Sequence, residues 1–206
     1  MFYWLKCLIL SCGNFSKKMK YTYQEYLQLE IDTDIRHEFW NGEVLAMADV
    51  TKKHSRIGFN IVKFINDSFR PQGCEAFKAH VKLELQKENH YVYPDVILTC
   101  DKEDKDPYSV KNPSLIVEVL SKSTEAYDRS VKFAQYRKIK SLRYYLLVSQ
   151  TAPIVEVYGK VNEGASVFTY EVYEGLYAII QLPALEFEMP MSKVYDYIEF
   201  SEDEKI

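Results

Sequence analysis

Two carboxylates stand where carboxylates are costly. Asp95 follows Pro94 inside YVYPDVILTC, residues 91–100, and Glu118 interrupts SLIVEVL, residues 114–120. The residues around both are strand formers. A buried, unpaired carboxylate is expensive and needs a compensating partner. Neighbouring strands lie about 4.8 Å apart, so pairing of 91–99 with 114–120 would let the two acids converge on one point. Such a pair of hard oxygen donors suits Mg²⁺ or Mn²⁺, which bind through one or two carboxylates and several waters. Pro94 cannot donate a ladder hydrogen bond, so it would end pairing just before Asp95 and leave room beside it. The competing reading puts both acids on a solvated sheet face, or pairs them with Lys and Arg.

The elements that must position these acids carry local signals. Thr22 and Glu25 form a capping box that opens a helix at YTYQEYLQLE. Asn41-Gly42 joins two short apolar runs as a type I′ hairpin. From Thr51 to Phe69, Ile57, Ile61, Phe64, Ile65 and Phe69 recur at helical spacing, and Pro71 and Gly73 stop that helix. Then come CEAFKAHVKLEL, a turn at QKENH, one strand over 91–99, and a charged, solvated loop over 101–113. After the 114–120 strand a helix is predicted from about Glu125 to Lys140. YYLLVS and IVEVYGK read as strands, VFTYEVY and YAIIQL as a hairpin, and MSKVYDYIEF as a closing helix. Helices interleaved with central strands argue for an α/β (α+β) fold around one mixed central sheet flanked by helices.

Composition bounds the function. The 206 residues, 47% of them apolar, suit one domain over 21–200, preceded by an N-terminal extension at 1–20 and followed by an acidic tail at 201–206. The apolar stretch Met1–Leu10 lacks a preceding basic region and is too short to span a bilayer. It reads as a loose arm, or translation starts at Met19. The net charge of −4 argues against a uniformly nucleic-acid-attracting surface, without excluding a basic face. The four cysteines form no CxxC pair and the four histidines no HExxH, so a zinc site is unsupported. Cys74 and Cys100 are expected as reduced, buried thiols, and the protein as cytoplasmic, with no membrane association. No GxGxxG, P-loop or GxSxG motif points to a small-molecule enzyme.

With these residues in view, PDV at 94–96, LIVEVLSKST at 115–124, Asp128, Lys132 and Tyr136 together resemble the Uma family of restriction endonucleases. That family belongs to the restriction-endonuclease-like, or PD-(D/E)XK, nuclease superfamily. The segments YTYQEYLQLE and HEFWNGEVLAM and the helix near His54 agree with the family's opening, so the likeness spans residues 21 to 198. It implies a restriction-endonuclease-like core and a Mg²⁺- or Mn²⁺-dependent DNA endonuclease. Asp95 and Glu118 would hold the metal, the backbone carbonyl of Val119 would add a ligand, and Glu38, ahead of Glu43, would be the acid of the early hairpin. The superfamily's Glu-x-Lys would need lysine at 120, where Leu120 stands. Lys132 is the first candidate for a migrated lysine, with Lys82 and Lys122 behind it. Spacing alone also makes Lys132 an ordinary helical ion pair with Asp128, four residues earlier. Tyr136 would pack over the site or at the core edge.

The expected partner is DNA, cut by a homodimer. Between Lys122 and Arg143 seven basic residues face only Glu125 and Asp128, an excess that could track a phosphate backbone or simply form a solvated helix face. Lys122, Arg129, Arg137 and Lys138 are the candidate DNA contacts, joined by His54, which otherwise caps the helix it begins. The alternative is a catalytically weak or inactive nuclease fold acting as a nucleic-acid-binding or interaction module. Leu120 favours the alternative, and the retention of Asp95, Glu118 and Lys132 favours the enzyme.

Overall fold

The computed structural model describes residues 20–200. The readings of residues 1–19 as an arm and 201–206 as a tail therefore lie outside the described residues. Helix α1 (Tyr23–Asp32) begins at the expected capping box: Thr22 accepts from the Glu25 N–H, and the Glu25 carboxylate accepts from the Thr22 N–H at 2.7 Å. Strands β1 (His37–Trp40) and β2 (Glu43–Ala46) form the hairpin, with Trp40 opposite Glu43. Asn41 and Gly42 both have positive φ, 47° and 87°, as a type I′ turn requires. Helix α2 (Lys52–Phe69) is capped by Thr51 and ends in a short 3₁₀ turn closed by Gly73 in the left-handed region. Its Ile57, Ile61 and Ile65 are fully buried, worth about 1.5–3 kcal/mol each.

The run 91–99 is two strands rather than one. β5 (His90–Val92) belongs to a five-stranded sheet, and β6 (Val96–Thr99) to a six-stranded one. Tyr93, Pro94 and Asp95 form the crossing between them. This answers the oddity of the sequence, since a residue in transit between sheets owes no ladder hydrogen bond and a proline there costs nothing. The segment before it also divides, into β3 (Glu75–Lys78) and β4 (Lys82–Gln86), which join different sheets through His80 at φ 72°.

The mixed central sheet has the order β11-β10-β9-β8-β6-β3. Its strand β8 (Pro113–Leu120) runs antiparallel to β6, as expected, and parallel to β9 (Tyr144–Ser149). β10 (Ile154–Lys160) forms a hairpin with β11 (Phe168–Glu174). The second sheet, order β2-β1-β5-β4-β7, was not foreseen as separate. Its edge strand β7 (Ser109–Val110) is buried and lies in the stretch expected to be solvated loop. YAIIQL does not pair with VFTYEVY. Instead β12 (Ile179–Leu182) pairs with β13 (Phe187–Pro190) as a separate ribbon. The closing helix is a single turn, α5 (Met191–Val194).

The helix expected over 125–140 ends at Tyr136 and changes pitch on the way. α3 (Glu125–Tyr127) widens into a π-helical turn (Asp128–Lys132) and resumes as α4 (Phe133–Tyr136). The Tyr145 hydroxyl donates to the Asp128 carbonyl at 3.1 Å, giving that group a partner in the widened turn.

Alternation along β8 sorts the core. Leu115, Val117 and Val119 pack in the cluster with α2, whereas Ile116 and Leu120 pack with Tyr136 and Tyr145. Glu118 shares the parity of Ile116 and Leu120, so it points away from α2. Cys74 and Cys100 are not free thiols as expected. They form a disulfide between β3 and β6, one step beyond the Glu75–Thr99 pair, where antiparallel strands bring Cα atoms together, here at 4.1 Å. That bond removes the thiol-based argument for a reducing compartment. Among the described residues no helix is long and apolar enough to cross a membrane.

Candidate active site

Asp95 and Glu118 meet. Val96 pairs with Val117, so the next position in register sets Asp95 across from Glu118. Both line one cavity of about 350 Å³, together with Glu38, Val119, His54, Asp128 and Lys132. The Val119 N–H donates to Asp95 Oδ2 at 2.7 Å, and His54 Nε2 lies 2.8 Å from Oδ1. His54 is placed for this contact by its backbone, because its N–H donates to the Thr51 cap at 3.0 Å. His54 Nδ1 is buried and has no hydrogen-bond partner among the described residues.

Lys132 holds the centre. Its ammonium lies 3.0 Å from Glu118 Oε1, 3.2 Å from Glu38 Oε1 and 3.3 Å from Asp128 Oδ1. All four residues are buried. Lys132 does pair with Asp128, but inside the cavity and shared with two strand carboxylates. The Tyr136 hydroxyl also donates to Glu118 Oε1, at 2.9 Å, so Tyr136 packs against the site from beneath. The Tyr127 hydroxyl donates to Glu38 Oε2 at 3.3 Å.

The electrostatics follow from burial. Burial pushes the Glu118 carboxyl well above the usual carboxylate range, and the Lys132 charge opposes that rise. Asp128 is raised for the same reason, with Lys132 again opposing. Burial alone would pull the Lys132 ammonium down. The facing carboxylates of Glu118, Glu38 and Asp128 outweigh it and hold the ammonium well above its ordinary value. Lys132 is therefore a standing cation, suited to stabilising negative charge rather than to taking a proton.

Three carboxylates thus surround one ammonium, with Asp95 a fourth acid on the same cavity, and the excess of acids suits a divalent cation. Among the described residues no three His, Cys, Asp or Glu side chains close on a common point as a ready cage. Mg²⁺ itself keeps several waters and needs only one or two carboxylates. Asp95, Glu118 and the Val119 carbonyl are the residues that would hold it. Both bonds to Glu118 fall on Oε1, so among the described residues neither uses Oε2.

The other sequence candidates separate. Glu38 lines the cavity, whereas Glu43 at the hairpin turn does not. Lys82 sits on β4 with its ammonium 5.9 Å from the Tyr26 and Tyr91 ring centres, outside the cavity lining. Leu120 is buried in the core on the Glu118 side, and Lys132 reaches the same carboxylate from the helix. His54 is turned to Asp95 rather than to solvent. Arg129 is engaged by Glu125 at 3.0 Å and Glu156 at 2.5 Å, and Arg143 by Glu163 at 2.7 Å. Lys122, Arg137 and Lys138 are exposed. Sequence reasoning missed Tyr127 and the site role of Asp128. Asp128 was visible as part of the family likeness and as the residue four before Lys132, but that spacing looks the same on any helix.

The two mixed sheets flanked by helices, with acids on β1, just before β6 and on β8 lining one cavity with a helix-borne lysine, define a restriction-endonuclease-like fold. The crystal structure of a "putative nuclease belonging to DUF820" from Anabaena variabilis ATCC 29413 superposes with a TM-score of 0.69 at 19% identity, covering 87% of this chain and 99% of that one. The chain belongs to the Uma2 family, described as "Putative restriction endonuclease", whose profile matches residues 23–192. Two uncharacterized proteins of Synechocystis sp. are similar along most of their length. One, slr1290, is 37% identical over 142 residues, 68% of this chain and 75% of the relative. The other, sll1609, is 35% identical over 145 residues, 69% of this chain and 82% of the relative.

Proposed function

We propose that the chain is a Mg²⁺- or Mn²⁺-dependent DNA endonuclease. The observation that carries this is that Asp95, at the entry to β6, and Glu118, on β8, line one cavity, with the Lys132 ammonium held at Glu118. When bound, the cation would bring a water to a phosphate and lower that water's pKa. The chain's own groups do the rest. Asp95 is fixed by the Val119 N–H and His54, so its carboxylate is oriented before substrate arrives. Lys132 supplies positive charge beside the reacting phosphate. Glu38 and Asp128 balance that ammonium while the cleft is empty. Exposed Lys122, Arg137 and Lys138 offer phosphate contacts outside the cavity. The described residues form one cavity that gathers these acids, so cutting both strands would take two copies, and the homodimer and a cytoplasmic setting belong to this reading.

Supercoiled plasmid incubated with purified protein and Mg²⁺ or Mn²⁺ should be nicked or degraded, and chelation should stop it. Asp95→Ala and Glu118→Gln should each abolish cutting. Metal-dependent cutting that survives both substitutions would assign the activity to a contaminant. A second reading, a nucleic-acid-binding module without catalysis, draws on one specific observation. Lys132 is already shared among three carboxylates. DNA binding by the wild type with no metal-dependent cutting would select it.

A further inference from the structure

The cavity has a wall that the cleavage chemistry does not use. Leu45, Met47 and Val50, on the segment that joins the β1–β2 hairpin to α2, line the same space as the carboxylates. Leu45 is 43% exposed and Val50 55% exposed, so this wall is open to whatever enters. Leu45 lies directly across the ladder from Glu38, which puts an apolar side chain beside a site acid on one sheet face. The segment is tied at both ends. The Met47 N–H donates to the Arg36 carbonyl at 2.9 Å, and the Thr51 hydroxyl bonds the Gln150 side chain at 2.8 Å. Gln150 in turn donates to the Leu120 carbonyl at 2.7 Å, at the end of the strand that carries Glu118. The Tyr127 ring also lines the cavity.

A sugar–phosphate backbone is anionic and hydrated, and gains nothing from aliphatic side chains. A nucleobase does, because every base has an apolar face that stacks or packs when released from its neighbours. A fully stacked duplex keeps those faces covered. From this juxtaposition of a preformed apolar wall with the phosphate-cutting acids, and resting on the nuclease reading above, we infer that the preferred substrate is DNA with an unpaired nucleotide next to the scissile phosphate. The base of that nucleotide packs against Leu45, Met47 and Val50 while its phosphate reaches Asp95 and Glu118.

The test uses the full chain with Ca²⁺ in place of Mg²⁺ and fluorescence anisotropy on three labelled DNAs of one sequence. One is fully paired, one has a single unpaired base, and one has an abasic position there. The unpaired base should bind at least tenfold tighter than the other two. Leu45→Ser with Val50→Ser, both at exposed positions, should shrink that advantage to less than threefold, while Val50→Ile should keep it. Thermal melts confirm that the variants fold. Equal affinities across the three DNAs would overturn the inference, and so would an advantage retained by the abasic DNA, which would report flexibility rather than a base. Cleavage measured in parallel with Mg²⁺ separates the two claims. A base-dependent preference without any cutting would sink the nuclease reading alone, and cutting without a preference would sink this inference alone.

Discussion

At the scale of single residues, the site is a balance of buried charge around one lysine. Removing one partner of a buried charge cluster leaves the rest uncompensated, typically at about 3–5 kcal/mol. Lys132→Ala should therefore lower stability in urea unfolding by about that amount, as well as abolishing cutting. Lys132→Ala combined with Glu118→Gln should lose less than the sum of the two single changes, because the residues share one hydrogen bond. Strict additivity would mean the two groups do not interact in solution. Asp95 and Glu118 were legible in the sequence because a charge inside an apolar run is rare. Lys132 was legible only as an ambiguity, and Asp128 only as part of the family likeness, since spacing on a helix cannot say whether that face is buried. His54 was noticed for its lysine neighbours, yet the partner it has is a carboxylate contributed 41 residues later.

At the scale of elements, the local signals held where the physics is local. The capping box, the Asn-Gly turn and the amphipathic run of α2 each depend on neighbours within a few residues. Gly42 shows how such a signal reaches the site. Its φ is 87°, and an added Cβ would sit 3.2 Å from Lys20 Cβ and 3.3 Å from the Tyr21 carbonyl oxygen. Gly42→Ala should cost about 1 kcal/mol or more, since alanine resists positive φ, and it should disturb the hairpin that presents Glu38 and Leu45. A shift in the urea midpoint accompanied by slower cutting is the expected result. An unchanged midpoint would show that the turn relaxes freely. What the sequence hid is non-local. The division of 91–99 between two sheets, the partner of YAIIQL and the widened turn at Asp128–Lys132 are set by what packs against them.

At the scale of the whole molecule, the Cys74–Cys100 disulfide staples an edge strand to the strand that Asp95 precedes, closing a loop with a sequence separation of 26. A loop of that length stabilises by about 3 kcal/mol, mostly by restricting the unfolded chain. Cys100→Ser, or reduction, should lower the unfolding midpoint while leaving cutting at moderate temperature intact, because the bond lies at the far end of β6 from the cavity. Loss of activity without loss of stability would show instead that the staple sets the position of Asp95. The fold class was readable from the alternation of helices and strands. The existence of two sheets was not, because nothing in a strand's own residues says which neighbours it will join.

Asp95 belongs to the seam. Two residues upstream of Pro94 the chain is anchored in the five-stranded sheet, and one step downstream of Asp95 in the six-stranded sheet. The hairpin acid Glu38 rides on the first sheet and Glu118 on the second. Any splaying or sliding of the two layers thus changes the spacing of the acids directly, with no intervening lever. The acids and the frame that spaces them are the same backbone.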